Sequence, residues 1–434
     1  MAFLALVWVV IPVSARPAQP AVLDPRTVHS ATLDNGLRLI VCQDPEATVL
    51  SVEVTIRTGS ADDPSGQEGI AHLLEHVLWS RAGQDDPRRR IEEIGGVVIA
   101  GVLRDFTRFY LTVPDGYLEL AVDALADLTL PEDFSPSSVL RESAIIEEES
   151  LIRLEQPRAV LSDCEFEELY GPDHPYGRPT DGDVNALRRI GPAALSLFHQ
   201  TWYRPNNMAV IVAGNVGFEQ AQAAVDSGFR HLTPAALPAR PGPPPDRPPK
   251  GRERTIETPL DQAYVMAVFV GPAAFERTQV CASDLIATLL VHPSSGRLSR
   301  ELQETRQLAS SVGVDFLTQR DRALVGVWVA CDPDDIPAVK DVIRGELRRL
   351  SEERIPVEEF AAVRRLLAAG FAFANETPSD RAATLAFYEA IDTYRTAAQY
   401  LPRVRALTPA DVFDVAGWYA GNPVWVVLSP KAAR

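Results

Sequence analysis

Eight of the eighteen residues from Thr233 to Lys250 are proline, and no other stretch of this 434-residue chain is so biased in composition. Proline has a fixed φ and no N–H, so the run forms neither a helix nor an inner strand and behaves as a stiff, extended spacer. A chain of this length also exceeds what one hydrophobic core of usual size holds. We therefore read a linker over residues 233–254, between one domain over 28–232 and a second over 255–434.

Each half opens in the same way. Residues 50–56 alternate towards Gly59, and residues 264–270 run apolar into Gly271. Both read as strands, and each leads to an apolar helix, near 68–81 and 277–291. Further strands are expected near 106–113, 208–214, 309–316, 324–330 and 423–428. Amphipathic helices alternate with them near 116–128, 138–155, 184–201, 335–351, 357–374, 378–392 and 408–418. The expected class is α+β: two duplicated domains, each a mainly antiparallel sheet covered by helices.

The composition, 46% hydrophobic and 23% charged, is that of a globular protein, and a formal charge of −17 disfavours nucleic acid as a partner. Part of that charge is local. Residues 132–168 hold eleven Asp or Glu against Arg141, Arg153 and Arg158, a solvated helix face or a surface favouring basic peptides. At the N-terminus, the apolar run Ala2–Val13 followed by Val13-Ser14-Ala15 reads as a cleaved export signal over residues 1–15. That places the mature chain in the periplasm or outside the cell; no Lys or Arg precedes the run, which leaves a cytoplasmic location as the alternative. The run is too short to span a bilayer. Cys42, Cys164, Cys281 and Cys331 have no Cys-x-x-Cys spacing and read as buried free thiols.

The chemistry is concentrated at His72-Leu73-Leu74-Glu75-His76. On a helix, residues i and i+4 share one face, so the two imidazoles can grip one zinc ion at about 2.0–2.1 Å each. Glu75 then hangs beside the ion as a general base for an activated water. This order inverts the commoner zinc-protease motif and is known as the inverzincin pattern. Ile70, Leu73, Leu74, Val77 and Leu78 make the helix apolar almost all round. Three ionisable groups in such a helix are costly unless something charged pairs with them. The bland alternative is a histidine pair satisfied at a helix surface. The matching position of the second half, Cys281 to Thr288, has no histidine, so one metal per chain is expected.

A catalytic zinc needs three protein ligands. At about 100° per residue, Ile145, Ile146 and Ile152 define an apolar stripe on the helix near 138–155. Glu149 falls near its middle, Glu142 lies two turns earlier on the same side, and Glu147 points the other way. Glu149 is therefore expected to face the core as the third ligand and Glu147 to face water. Glu142 is expected behind the ligands, holding one imidazole by its free N–H.

Together these residues resemble the pitrilysin or insulinase family of zinc peptidases, and in particular its short branch that includes the mitochondrial processing peptidase. The similarity covers nearly the whole mature chain. Arg141-Glu142 through Glu148-Glu149, with Pro157 eight residues on, is similar to the family's ligand helix, and the family's ligand spacing also implies Glu149. The segments His174–Pro179 and Trp202–Met208 are similar to family segments whose roles read as structural. The resemblance implies a metal-activated water attacking peptides or presequences that lie as an added edge strand.

The chain departs from the family at positions that matter. Where the family has Asn-Ala, two threonines and an aromatic, this sequence has Ile99-Ala100, Val102, Thr107 and Phe109, which alters the expected substrate contact. Where family members complete a site with an Arg and, seven residues on, a Tyr, it has Gln303 and Ser310. Losing one oxyanion donor typically costs about 10²–10³ in rate. The resemblance then implies a zinc-bearing subunit of a heterodimer, whose homologous partner supplies the Arg/Tyr pair. The competing expectation is a non-catalytic or weakly active peptide-binding or structural subunit. A processing enzyme for one peptide of a cofactor pathway has the same chemistry.

Overall fold

The computed structural model describes residues 23, 26–80, 86–130, 134–240 and 251–431. The leader expected over 1–15 and the proline-densest part of the linker, 241–250, lie outside the described residues. Six strands form the first sheet: β1 (Val28–Thr32), β2 (Arg38–Gln43), β3 (Val49–Ile56), β4 (Val97–Val102), β5 (Thr107–Pro114) and β6 (Met208–Gly214), in the order β1-β2-β6-β3-β5-β4. Five form the second: β7 (Glu253–Thr258), β8 (Ala263–Val270), β9 (Ala309–Phe316), β10 (Leu324–Cys331) and β11 (Val424–Pro430), in the order β7-β11-β8-β10-β9. Neighbours are antiparallel except β2–β6 and β7–β11, which are parallel. Without β1, the two orders are the same and the parallel pair falls at the same place. The duplication suggested by the opening strands is thus written in the topology, and the α+β class holds.

Five helices of the first half matter below: α1 (Ile70–Trp79), α2 (Pro87–Glu92), α3 (Leu118–Thr129), α4 (Pro136–Leu154) and α5 (Pro157–Tyr170). The single helix expected over 184–201 is two, Val184–Leu187 and Pro192–Trp202. Pro192 has no N–H to continue the first helix, but its fixed φ suits the first position of a new one. Strands β1, β2 and β7 went unmarked by alternation: β2 is a continuous apolar run, and β1 and β7 are mostly polar.

The inner strands of each sheet are buried on both faces, and the coverings are exchanged. Val41, Val52, Val54, Ile56, Val210 and Val212 of the first sheet pack with α1, α3 and other helices of the same half. The opposite face, bearing Ile40, Cys42, Ala209, Ile211 and Ala213, lies under the helix Pro378–Ile391 of the second half through Ala382, Leu385, Ala386 and Ile391. In return α5, from the first half, lays Leu161, Cys164, Phe166 and Leu169 on Met266, Val268, Val424, Val426 and Leu428 of the second sheet. The alanines bring the exchanged helix close to the strands. Ion pairs pin it there: Arg57 to Glu389 and Arg381 to Asp44, each at 2.5 Å. All four cysteines are free and buried. No helix among the described residues is long and apolar enough to cross a membrane.

The exchange predicts shared stability. Leu385 is fully buried, so Leu385→Ala should cost about 2–5 kcal/mol. Although Leu385 belongs to the second half of the sequence, that loss should appear in one unfolding transition for the whole chain. Denaturant unfolding followed by tryptophan fluorescence and circular dichroism checks this; two separable transitions would contradict it.

Candidate metal centre

Helix α1 begins at Gly69, whose φ of +98° suits a residue without Cβ. Its first turn is capped from outside: the buried Asp63 carboxylate accepts from the N–H groups of Gly69, at 2.6 Å, and Ala71, at 3.2 Å. Burial holds that carboxyl well above the ordinary range. Ile70, Leu73, Leu74 and Leu78 fill the core under the first sheet, which leaves one flank of α1 for His72 and His76. The two rings stand 4.6 Å apart, centroid to centroid. Ligand atoms of His72, Glu75 and His76 lie within 4.8 Å of one another.

Helix α4 packs along α1 and carries the carboxylates. Glu149 Oε2 lies 3.5 Å from His76 Nε2 and 4.0 Å from His72 Nε2. Ligands about 2.0–2.1 Å from a tetrahedral ion are about 3.4 Å apart, so these spacings suit three corners around one zinc. Glu75 Oε2, 4.0 Å from His76 Nε2, stands beside that point. Glu142 is buried; its Oε2 lies 3.5 Å from His76 Nδ1, and its Oε1 accepts from Arg141 Nε at 2.8 Å.

The helical-phase reading of α4 placed Glu149 near the histidines for the wrong reason. Of its three isoleucines only Ile146 is buried; Ile145 is 38% and Ile152 58% exposed. The face packed into the core runs through Val139, Glu142, Ser143 and Ile146. Glu149 lies on the flank beside it, its side chain 47% exposed, facing the histidines at the rim rather than the core. Glu147, expected to face water freely, is partly covered and pairs with Arg188.

Among the described residues no lysine or arginine is paired with His72, Glu75, His76 or Glu149. Burial, then His76 and Arg153, push the His72 imidazole down to about 3, so it is neutral and able to bind a metal. Burial, then Glu149 and Glu142, push Glu75 up to about 8. His72 Nδ1 is buried with no hydrogen-bond partner among the described residues. Two imidazoles and a carboxylate around one point are the donors a divalent zinc ion takes, so these residues fit it.

Two groups near the centre escaped the sequence reading. One is Asp63, the cap of α1. The other is Asp181, whose Oδ1 lies 3.8 Å from His72 Nδ1 and whose Oδ2 is held by Arg153 Nε at 3.0 Å. The only available signal was the turn residue Gly182. The two segments read as structural serve the backbone: His174 Nδ1 accepts from the Tyr176 N–H, and buried Asn207 donates to the Trp202 carbonyl. Gln303 Nε2 donates to the Ser310 carbonyl and Ser310 Oγ to Gln262, so both are engaged within the second half. Strand β4 pairs only with β5 among the described residues, and it exposes Val97 and Ile99.

Comparison with known proteins agrees in extent. The family model described as insulinase (peptidase family M16) matches residues 38–169, and that described as the peptidase M16 inactive domain matches residues 189–367. An uncharacterized zinc protease of Mycobacterium leprae is 31% identical over 337 residues, covering 76% of this chain and 75% of its own. Zinc protease PqqE of Helicobacter pylori is 26% identical over 405 residues, 90% of each chain. The fold is that of a protease from Helicobacter pylori (TM-score 0.83, 23% identity, 93% of this chain and 99% of that one). A putative M16-like peptidase from Alicyclobacillus acidocaldarius superposes comparably (TM-score 0.82, 19% identity, 93% and 98%).

Metal-free protein supplied with zinc at 100 times its dissociation constant should gain about 2.7 kcal/mol of stability. His76→Ala should remove that gain. Thermal unfolding with and without zinc reads both, and an equal zinc effect in the variant would contradict the site.

Proposed function

Because the chain belongs to the insulinase family, peptidase family M16, we propose that it is a zinc metalloendopeptidase with its metal held by His72, His76 and Glu149 and with Glu75 as the general base. The observation that carries this reading is the approach of Glu149, from a second helix, to within 4.0 Å of both imidazole Nε2 atoms, which lie with Glu75 in one cluster of possible ligands. When bound, zinc supplies Lewis acidity, which brings the acidity of water into the neutral range. Glu75 Oε2 accepts a proton from the attacking water and delivers it to the nitrogen of the leaving amine. Burial and two neighbouring carboxylates raise the proton affinity of Glu75, and a divalent cation beside it would favour the ionised carboxylate that a general base requires. Glu142, braced by Arg141, holds the His76 ring in place.

The substrate in this proposal is an extended peptide or presequence laid along the free edge of β4, where Val97 and Ile99 offer apolar contact. Gln303 and Ser310, bonded to each other and to Gln262, supply neither a fixed positive charge nor a reaching phenol. That favours a homologous partner subunit contributing the missing Arg and Tyr. A non-catalytic or weakly active peptide-binding subunit is the second reading, and the same two residues favour it. Residues 2–13 support export to the periplasm or beyond.

Assayed together with a homologous subunit carrying the Arg/Tyr pair, Glu75→Gln should keep one zinc per chain and lower peptide hydrolysis by about 10²–10⁴-fold, the usual worth of a general base. Metal analysis beside a quenched-peptide assay checks it, and retained turnover would refute the role. The purified chain alone should be nearly inactive, and adding a homologous subunit with the Arg/Tyr pair should raise the rate by about 10²–10³-fold. Full activity of the single chain would reject the heterodimer.

A further inference from the structure

We propose that Asp181, clamped by Arg153, is a positioning residue that orients His72 for the metal through its Nδ1. The inference rests on the reading of His72 as a metal ligand. His76 shows the pattern: its Nδ1 faces a Glu142 oxygen at 3.5 Å, and an arginine, Arg141, holds the other oxygen of that carboxylate. His72 repeats it with residues from elsewhere in the chain. Its Nδ1 faces Asp181 Oδ1 at 3.8 Å, and Arg153 Nε holds Oδ2 at 3.0 Å. That nitrogen is buried and, among the described residues, without a hydrogen-bond partner. Closing to a hydrogen bond of about 2.7–3.2 Å takes a shift of about 1 Å or less. The bond fixes the tautomer with its proton on Nδ1 and leaves Nε2, on the Glu149 side, free to bind the metal.

The approach of Asp181 is built into the backbone. Its loop meets the start of α1 at two glycines, Gly69 and Gly182, both with positive φ. A Cβ on Gly182 would stand 2.3 Å from the Gly69 Cα, and one on Gly69 would stand 2.9 Å from the Asp181 carbonyl oxygen. No other residue type lets the two segments touch this closely. Asp183 N–H to the Glu68 carbonyl and the Asp183 cap on the helix Val184–Leu187 secure the loop on either side. Arg153 in turn is bonded to Asp163 of α5, so the clamp is itself anchored on the helix that covers the second sheet.

The test is zinc affinity of the full-length protein, measured by competition with a chromophoric chelator, beside thermal unfolding of the zinc-free protein. Asp181→Ala should weaken zinc binding by roughly 10–100-fold, the usual cost of losing such a partner. Asp181→Asn should restore part of the affinity, because its amide oxygen still accepts from Nδ1. Zinc-free melting should stay near that of the unaltered chain, since Arg153 keeps Asp163. His72→Ala separates the two readings. If it abolishes tight zinc binding while Asp181→Ala and Asp181→Asn bind zinc as the unaltered chain does, the positioning role is overturned and the metal centre stands. If His72→Ala itself leaves zinc affinity unchanged, the ligand reading falls and this inference falls with it.

Discussion

Glu75 sits in the flank of an apolar helix, almost fully buried, with two more carboxylates on the next helix raising its proton affinity. That crowding is the constraint on which the rest of the centre depends. Packing α1 against α4 brings His72, His76, Glu75, Glu142 and Glu149 together, and among the described residues only Glu142 has an arginine bonded to it. Removing charged groups from water costs several kcal/mol each unless a counter-charge is supplied. A doubly charged ion at the shared point relieves every member of the group at once, which no single lysine or arginine could do from one side.

How that point is held is set by parts far apart in sequence. Asp63 caps the helix, a glycine at residue 69 admits the loop at residue 182, and α4 supplies its carboxylates at two-turn spacing. These elements rest on the first sheet, whose other face is covered by a helix from the last third of the chain. The candidate metal centre therefore belongs to the first half in its side chains and to the whole chain in support. Gln303 and Ser310 are tied up with one another in the second half.

Most of the strands and helices were readable because their periodicity reports burial directly: β6, β9 and the helix Arg277–Val291 fall at the expected residues. The pair His72 and His76 was readable because four-residue spacing on a helix is local geometry. What failed was information held in tertiary packing. Helical phase could not tell that α4 leaves Ile145 and Ile152 exposed, because an exposed apolar residue has the same sequence signature as one in a core. Asp181 was illegible for a different reason: its meaning depends on a backbone approach more than a hundred residues away in sequence. Nor could alternation show that the faces of each sheet are covered by different halves.

The exchanged helices have a further consequence for the connection between the halves. Each half, drawn away from the other, would strip a sheet face of its cover: Ile40 and Ile211 on one side, Val268 and Val426 on the other. The proline-rich tether is therefore dispensable to the association itself. A nick within it would yield two fragments that stay interlocked, and the gene could be split there into two cistrons without dissolving the particle.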